Sequence, residues 1–208
     1  MKQKDKNVLA KYKIIQAALK EFSEYSYENS SINRICLNGN ISKGVMYHYF
    51  KDKNELYLLC IKYCYDSMYD YFKLALKDYK NNNNVHDLVK TFLEVRQKFF
   101  LDNPLLKKIY FHTTLRKPMN LSEEINKITS PFKQLRRKYS NLVLNNIELR
   151  DDLTIDELIK LYELIQKNLN EKFCLRLENN DNIDSLMKDY EKEIIKYVDI
   201  LFYGALKN

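Results

Sequence analysis

Apolar side chains recur along this chain every three or four residues and seldom every two, so its periodicity is that of helices. Val8, Tyr12, Ile15, Leu19 and Phe22 form one stripe, which predicts a first helix over about residues 5–25 with that side against a core. After a break at residues 26–29, Ser30 or Ser31 can cap a short second helix with Ile32, Ile35 and Cys36 on one side. Asn38, Gly39 and Asn40 tolerate a left-handed backbone and predict a tight turn, and Ser42 can cap a third helix. A long helix follows over about 53–80, apolar on two sides: Leu56, Leu59, Cys60 and Tyr63 on one, Tyr57, Ile61, Cys64, Met68, Phe72 and Ala75 on the other. Residues 81–84, four asparagines, read as a linker. Further helices are expected at 85–101, at 104–116 with Asn103 as cap and Pro104 first, and at 121–148 with an Asn120/Glu123 capping box and a kink or break at Pro131. Two more, at 154–178 behind a Thr154/Glu157 box and at 182–206, complete the chain.

Composition supports an all-α fold. Only 3 Gly and 3 Pro occur in 208 residues, too few for the frequent turns of a sheet protein, while 45% apolar content suffices for a sizeable core. No apolar run of about eighteen residues and no hydrophobic segment behind the N-terminal MKQKDKN are present, so a cytoplasmic protein without a membrane partner is expected. Four irregularly spaced cysteines form no disulfide framework and suit a reducing compartment. Charge is uneven: the first 53 residues hold ten Lys or Arg against five Asp or Glu, the other 155 hold 25 against 23. A small basic segment joined to a near-neutral larger one fits an anionic partner for the first part, and fits equally a solvated lysine-rich surface.

The third helix separates these readings. At 100° per residue Met46, Tyr49 and Phe50 point one way, while Gly44 and His48 point the other, flanked by Val45 and Tyr47. Two short helices around a tight turn, the second with an independent outer face, make a helix-turn-helix unit. Gly44 costs about 1 kcal/mol of helix propensity relative to alanine but lets backbone approach a phosphate or base edge.

The runs IIQAALKEF, SSINRIC and ISKGVMYHYFKDKNEL resemble the DNA-binding domain of the tetracycline-repressor (TetR) family of bacterial transcription regulators, over roughly residues 8–60. The chain departs from the usual pattern at Ser26, at Gly39-Asn40 in the turn, and at Val45, where a methyl replaces a hydroxyl and can contact thymine. The resemblance implies a DNA-binding domain at 1–52 and a helical effector-binding and dimerisation domain at 53–208. It implies DNA contacts by Ser31, Ser42, Lys43, Gly44, Val45, Tyr47, His48 and Lys53, a palindromic double-stranded operator, a homodimer, and a small-molecule effector that releases a repressor.

Within the larger segment, Tyr63, Phe92, Phe99, Tyr110, His112, Phe132 and Tyr139 supply rings on helices that in the resembling fold surround a cavity, although an aromatic stripe also serves as plain core. Arg96 can face either a pocket or solvent. The last helix is apolar on two sides, Met187, Tyr190, Ile194, Tyr197 and Leu201 on one, Ile195, Val198, Phe202 and Ala205 on the other. With Leu158, Leu161, Ile165 and Leu169 of the helix before it, the second side, Ile195, Val198 and Phe202 above all, resembles the family's four-helix dimer interface. No Gly-rich phosphate loop, nucleophile elbow or paired-histidine zinc motif is present, so neither enzyme chemistry nor a cofactor is expected. Cys60 and Cys64, four apart on a helix, leave room for a redox or metal sensor with His86 or His112, though the spacing fits no standard zinc pattern.

Overall fold

The computed structural model describes residues 3–77, 85–144, 149–178 and 182–205. The fold is all-α. Its elements are α1 (Gln3–Glu24), α2 (Ile32–Asn38), α3 (Lys43–Tyr49), α4 (Lys53–Ala75), α5 (Val85–Asp102), α6 (Pro104–Leu115), a 3₁₀ turn (Met119–Leu121), α7 (Ser122–Leu144), α8 (Ile155–Glu178) and α9 (Ile183–Ala205). Among the described residues no helix is long and apolar enough to cross a membrane. The expected linker at 81–84 and the expected end of the helix at 148 lie outside the described residues.

Two compact units form, one from residues 1–71 and 99–133, the other from 72–98 and 134–208. The expected domain border at 52/53 falls inside the first unit, because α6 packs on α1. The core of that unit takes Ile14, Ala18 and Phe22 from α1, Ile35 from α2, Met46 and Phe50 from the α3 segment, and Leu56, Tyr57, Cys60, Ile61, Cys64 and Met68 from α4. Phe22 meets Tyr57 edge-on at 4.9 Å, and Tyr65 meets Tyr110 and Phe132 at 5.9 and 6.0 Å. In α1 Leu19 and Phe22 of the stripe read in the sequence are buried, Ile15 is half-buried, and Ile14 and Ala18 beside them complete the inward side. Val8 and Tyr12 are exposed, because the first turns of α1 carry their apolar residues to the surface.

In the second unit α8 and α9 pack against each other antiparallel, Lys172 meeting Glu193 at 2.6 Å and Arg176 meeting Asp189 at 2.8 Å. Leu169, Phe173, Leu186, Met187, Tyr190 and Ile194 are buried, and Tyr190 donates to Asn170 Oδ1 at 2.7 Å. The Thr154/Glu157 box forms in full: the Thr154 N–H donates to Glu157 Oε2 at 2.8 Å, and the Glu157 N–H donates to Thr154 Oγ1 at 3.3 Å. Other expected caps do not. The Asn103 side chain donates back to the Phe99 carbonyl instead of capping α6. Asn120 lies inside the 3₁₀ turn, so its backbone cannot take the extended cap conformation, and α7 starts at Ser122. Pro131 sits within α7 without ending it, exposed on the outer side.

Candidate nucleic-acid interface

The helix-turn-helix is anchored from beneath by a buried carboxylate. Glu21 lies on the inward side of α1, and its Oε1 accepts from the Ser31 N–H and from Arg34 Nε, each at 2.8 Å. The Arg34 guanidinium lies 4.3 Å from the centre of the Tyr25 ring, and its pairing with Glu21 holds it above the usual arginine range. Ser31 is the cap of α2, its Oγ accepting from the Asn33 N–H at 3.2 Å, while Ser30 donates to the Tyr27 carbonyl. One carboxylate thus ties α1 to both ends of the first turn of α2.

The turn between α2 and α3 divides its two special positions between two residues. Asn40 takes the left-handed conformation at φ 49°, whereas Gly39 has an ordinary φ of −85° and is required for space. A Cβ on Gly39 would lie 2.5 Å from Ile41 Cδ1, 2.9 Å from Ala17 Cβ and 3.0 Å from the Ile35 carbonyl. At Gly44 a Cβ would meet nothing within 4 Å. The two glycines therefore separate by experiment. Gly39→Ala is expected to destabilise the unit by about 1–3 kcal/mol through overpacking, and Gly44→Ala to stabilise it by up to about 1 kcal/mol while weakening DNA binding, both read by urea unfolding beside a retardation assay.

Ser42 caps α3, accepting from the Val45 N–H at 3.2 Å. Met46 and Phe50 are fully buried and Tyr49 half-buried, so α3 is held by the side the periodicity indicated. Ser42, Lys43, Gly44, Val45, Tyr47 and His48 are all exposed, with Tyr47 54% accessible. His48 rests edge-on against Tyr49 at 5.0 Å. The outer side of α3 so presents a cation, a phenol, an imidazole and an alkyl group around a gap at Gly44, which is suited to phosphates and base edges in a groove. Lys53 is engaged within the protein. Its ammonium donates to the carbonyls of Tyr27 at 2.8 Å and Ser30 at 3.3 Å and lies 4.3 Å from the Tyr27 ring centre.

A family model described as "Bacterial regulatory proteins, tetR family" matches residues 14–60, from the buried line of α1 to the first turns of α4. Over those residues the chain is similar to the TetR family. HTH-type transcriptional regulators of Staphylococcus aureus strains USA300 and N315 are each 33% identical to it over 94 residues, 45% of this chain and 49% of the relative. The match thus spans about half the length of these curated relatives. A solved TetR family regulator from Chloroflexus aurantiacus shares the fold over 96% of this chain and 94% of its own, with a TM-score of 0.64 and 22% identity. FadR of Bacillus subtilis, solved in complex with stearoyl-CoA, does so over 88% and 96%, with a TM-score of 0.58 and 14% identity.

Outside this TetR-type head the expected site residues divide between the two units. Phe99, Tyr110, His112 and Phe132 are buried in the first, where Tyr110 packs 5.2 Å from Phe100 as core. His112 Nε2 lies 3.3 Å from the Ser23 carbonyl, and burial pushes the imidazole below its ordinary range. Tyr63 does not join these rings: the inward arc of α4 is filled by residues 61, 64, 65 and 68, and Tyr63 is 46% exposed. Phe92, Arg96 and Tyr139 belong to the second unit. Cys60 and Cys64 are sealed in the first, where burial pushes both thiols up and the Cys64 Sγ–H donates to the Leu106 carbonyl at 3.4 Å. Among the described residues no three of His, Cys, Asp and Glu are placed to share a metal ion, and the His86 side chain lies outside them.

Of the expected dimer residues, Leu158, Leu169 and Val198 are buried within their own unit, Leu158 against Leu201. They occupy the α8–α9 seam itself, which sequence periodicity could not distinguish from an outer face. Ile165 and Ile195 are half-buried, and the Phe202 side chain lies outside the described residues. Among the described residues the exposed large apolar ones are Ile155, Leu161, Leu164 and Leu175 on α8 and Tyr197, Ile200 and Tyr203 on α9. The parts the sequence did not disclose are Glu21, Arg34 and the packing role of Gly39. A carboxylate one step from the 14–18–22 line was the available signal for the first.

Proposed function

We propose that this chain is a ligand-responsive transcriptional repressor that binds a palindromic operator as a homodimer and leaves it when a small-molecule effector binds. The observation that carries the reading is α3. Its inner side is locked by Met46 and Phe50, and its outer side, Lys43, Gly44, Val45, Tyr47 and His48, is accessible to a major groove. Ser42 and Ser31 stand at the starts of α3 and α2, where such helices meet the backbone of DNA. In this reading residues 1–52 bind DNA and residues 53–208 bind effector and partner copy. FadR of Bacillus subtilis, similar in fold, holds stearoyl-CoA, which supports an effector role for the helical region beyond α4.

Two copies of α3 serve a palindrome only when held at one spacing, so a dimer is integral to the reading. The exposed apolar residues of α8 and α9 supply a self-complementary surface. Leu164→Glu and Ile200→Glu are each expected to raise the dimer dissociation constant about tenfold or more by burying a charge, with sedimentation velocity as the measure. Wild-type protein that sediments as a monomer at operator-saturating concentrations would remove this part. The reading as a whole is tested by gel retardation with double-stranded DNA from upstream of its own gene. Retardation that weakens steeply with salt is expected, and no retardation at low salt would sink it.

A further inference from the structure

The second unit contains a guanidinium edge with nothing to hold. Arg96 lies on α5, and its Nε and Nη2 are both shielded from solvent with no hydrogen-bond acceptor among the described residues. Those two nitrogens share one side of the planar fork, the side whose parallel N–H bonds match the two oxygens of a carboxylate. Donors so placed are unfavourable unless an acceptor meets them. Four residues earlier on the same side of the helix, Phe92 packs 5.1 Å from Phe72 of α4. A planar cationic fork thus stands one turn from an aromatic pair. The other polar group expected here is taken, because the Tyr139 hydroxyl donates to the Leu76 carbonyl at 3.2 Å.

We propose that Arg96 is the anchor for the acidic head of an amphipathic effector, a carboxylate with an apolar body that lies along Phe92, which the buried Phe72 backs. The assignment rests on the regulator reading for its consequence and specifies the chemical class of the effector. A neutral molecule of the same shape leaves Nε and Nη2 unsatisfied, so the site discriminates acid from amide. Loss of a charge-assisted bidentate pair corresponds to about a tenfold to hundredfold loss of affinity.

The test uses the full chain with hexanoate and decanoate, each beside its primary amide, followed by thermal melting and by calorimetric titration. The acids are expected to bind at least about tenfold more tightly than their amides. Arg96→Met is expected to erase that preference and to raise the melting temperature of the ligand-free protein, an effect opposite in sign to loss of a structural arginine. Arg96→Lys keeps the charge without the fork and should hold only part of the preference, and it decides the matter if the methionine variant does not fold. Equal affinity for acid and amide in the wild type overturns the proposal, as does an acid preference that survives in the methionine or, at full strength, in the lysine variant. Operator retardation by ligand-free protein is scored separately. Retardation without acid preference removes only this assignment, whereas Arg96-dependent acid binding without retardation removes the regulator reading and leaves the site.

Discussion

Replacing Lys43 and Tyr47 together by alanine is expected to lower operator affinity about 100-fold and to leave stability within about 0.5 kcal/mol of the wild type. Both side chains are exposed on α3 and neither contributes to the core, so nothing in the fold depends on them. In the proposed reading each makes one hydrogen bond to phosphate or base, and a contact of this kind is worth about 1.4 kcal/mol, or tenfold. The lysine also displaces a counterion, so the slope of log affinity against log salt should flatten by about one. Affinity within threefold of the wild type would show that α3 does not carry the contact surface. Fluorescence anisotropy across a salt series gives both quantities from one experiment.

Glu21→Ala is expected to cost about 2–3 kcal/mol, the largest effect foreseen for a single polar side chain of the first unit. The substitution removes the acceptor of the Ser31 N–H at the start of α2 and leaves a void beneath the turn. Arg34 is half-exposed and regains water, which keeps the loss below that of stranding a sealed charge. Glu21→Gln keeps the shape and one acceptor oxygen and should lose about half as much. Urea unfolding followed by circular dichroism measures both, and equal, negligible losses would mean that the anchoring of α2 lies elsewhere.

The helical order of the chain was legible because each element has a strong three-to-four period and the caps at Ser31, Ser42 and Thr154 are chemically explicit. The outer side of α3 was legible for the same reason: seven residues with Met46 and Phe50 inward leave little choice for Gly44 and His48. Periodicity fails where both sides of a helix are apolar. On α8 and α9 it could not tell the seam that holds Leu158, Leu169 and Val198 from the surface that carries Leu164 and Ile200, since both repeat at the same interval. In α1 it held at Leu19 and Phe22 and failed at Val8 and Tyr12, which look like core without reaching one. Rings scattered over α4, α5, α6 and α7 carried no information about which unit each would join, because that depends on pairings remote in sequence. Burial of Nε and Nη2 of Arg96 is likewise a tertiary fact that a lone arginine in TFLEVRQKFF cannot announce.

The position of Lys53 has a mechanical corollary. Its ammonium clasps the carbonyls of Tyr27 and Ser30, and Tyr27 in turn donates to Asn54, so the first turn of α4 and the segment entering α2 are stitched together at three points. Any swing of that end of α4 carries Ser31 and the turn with it. In the proposed reading α3 is then steered like a blade fixed to its handle, and its address on DNA would change by orientation while its internal shape is kept.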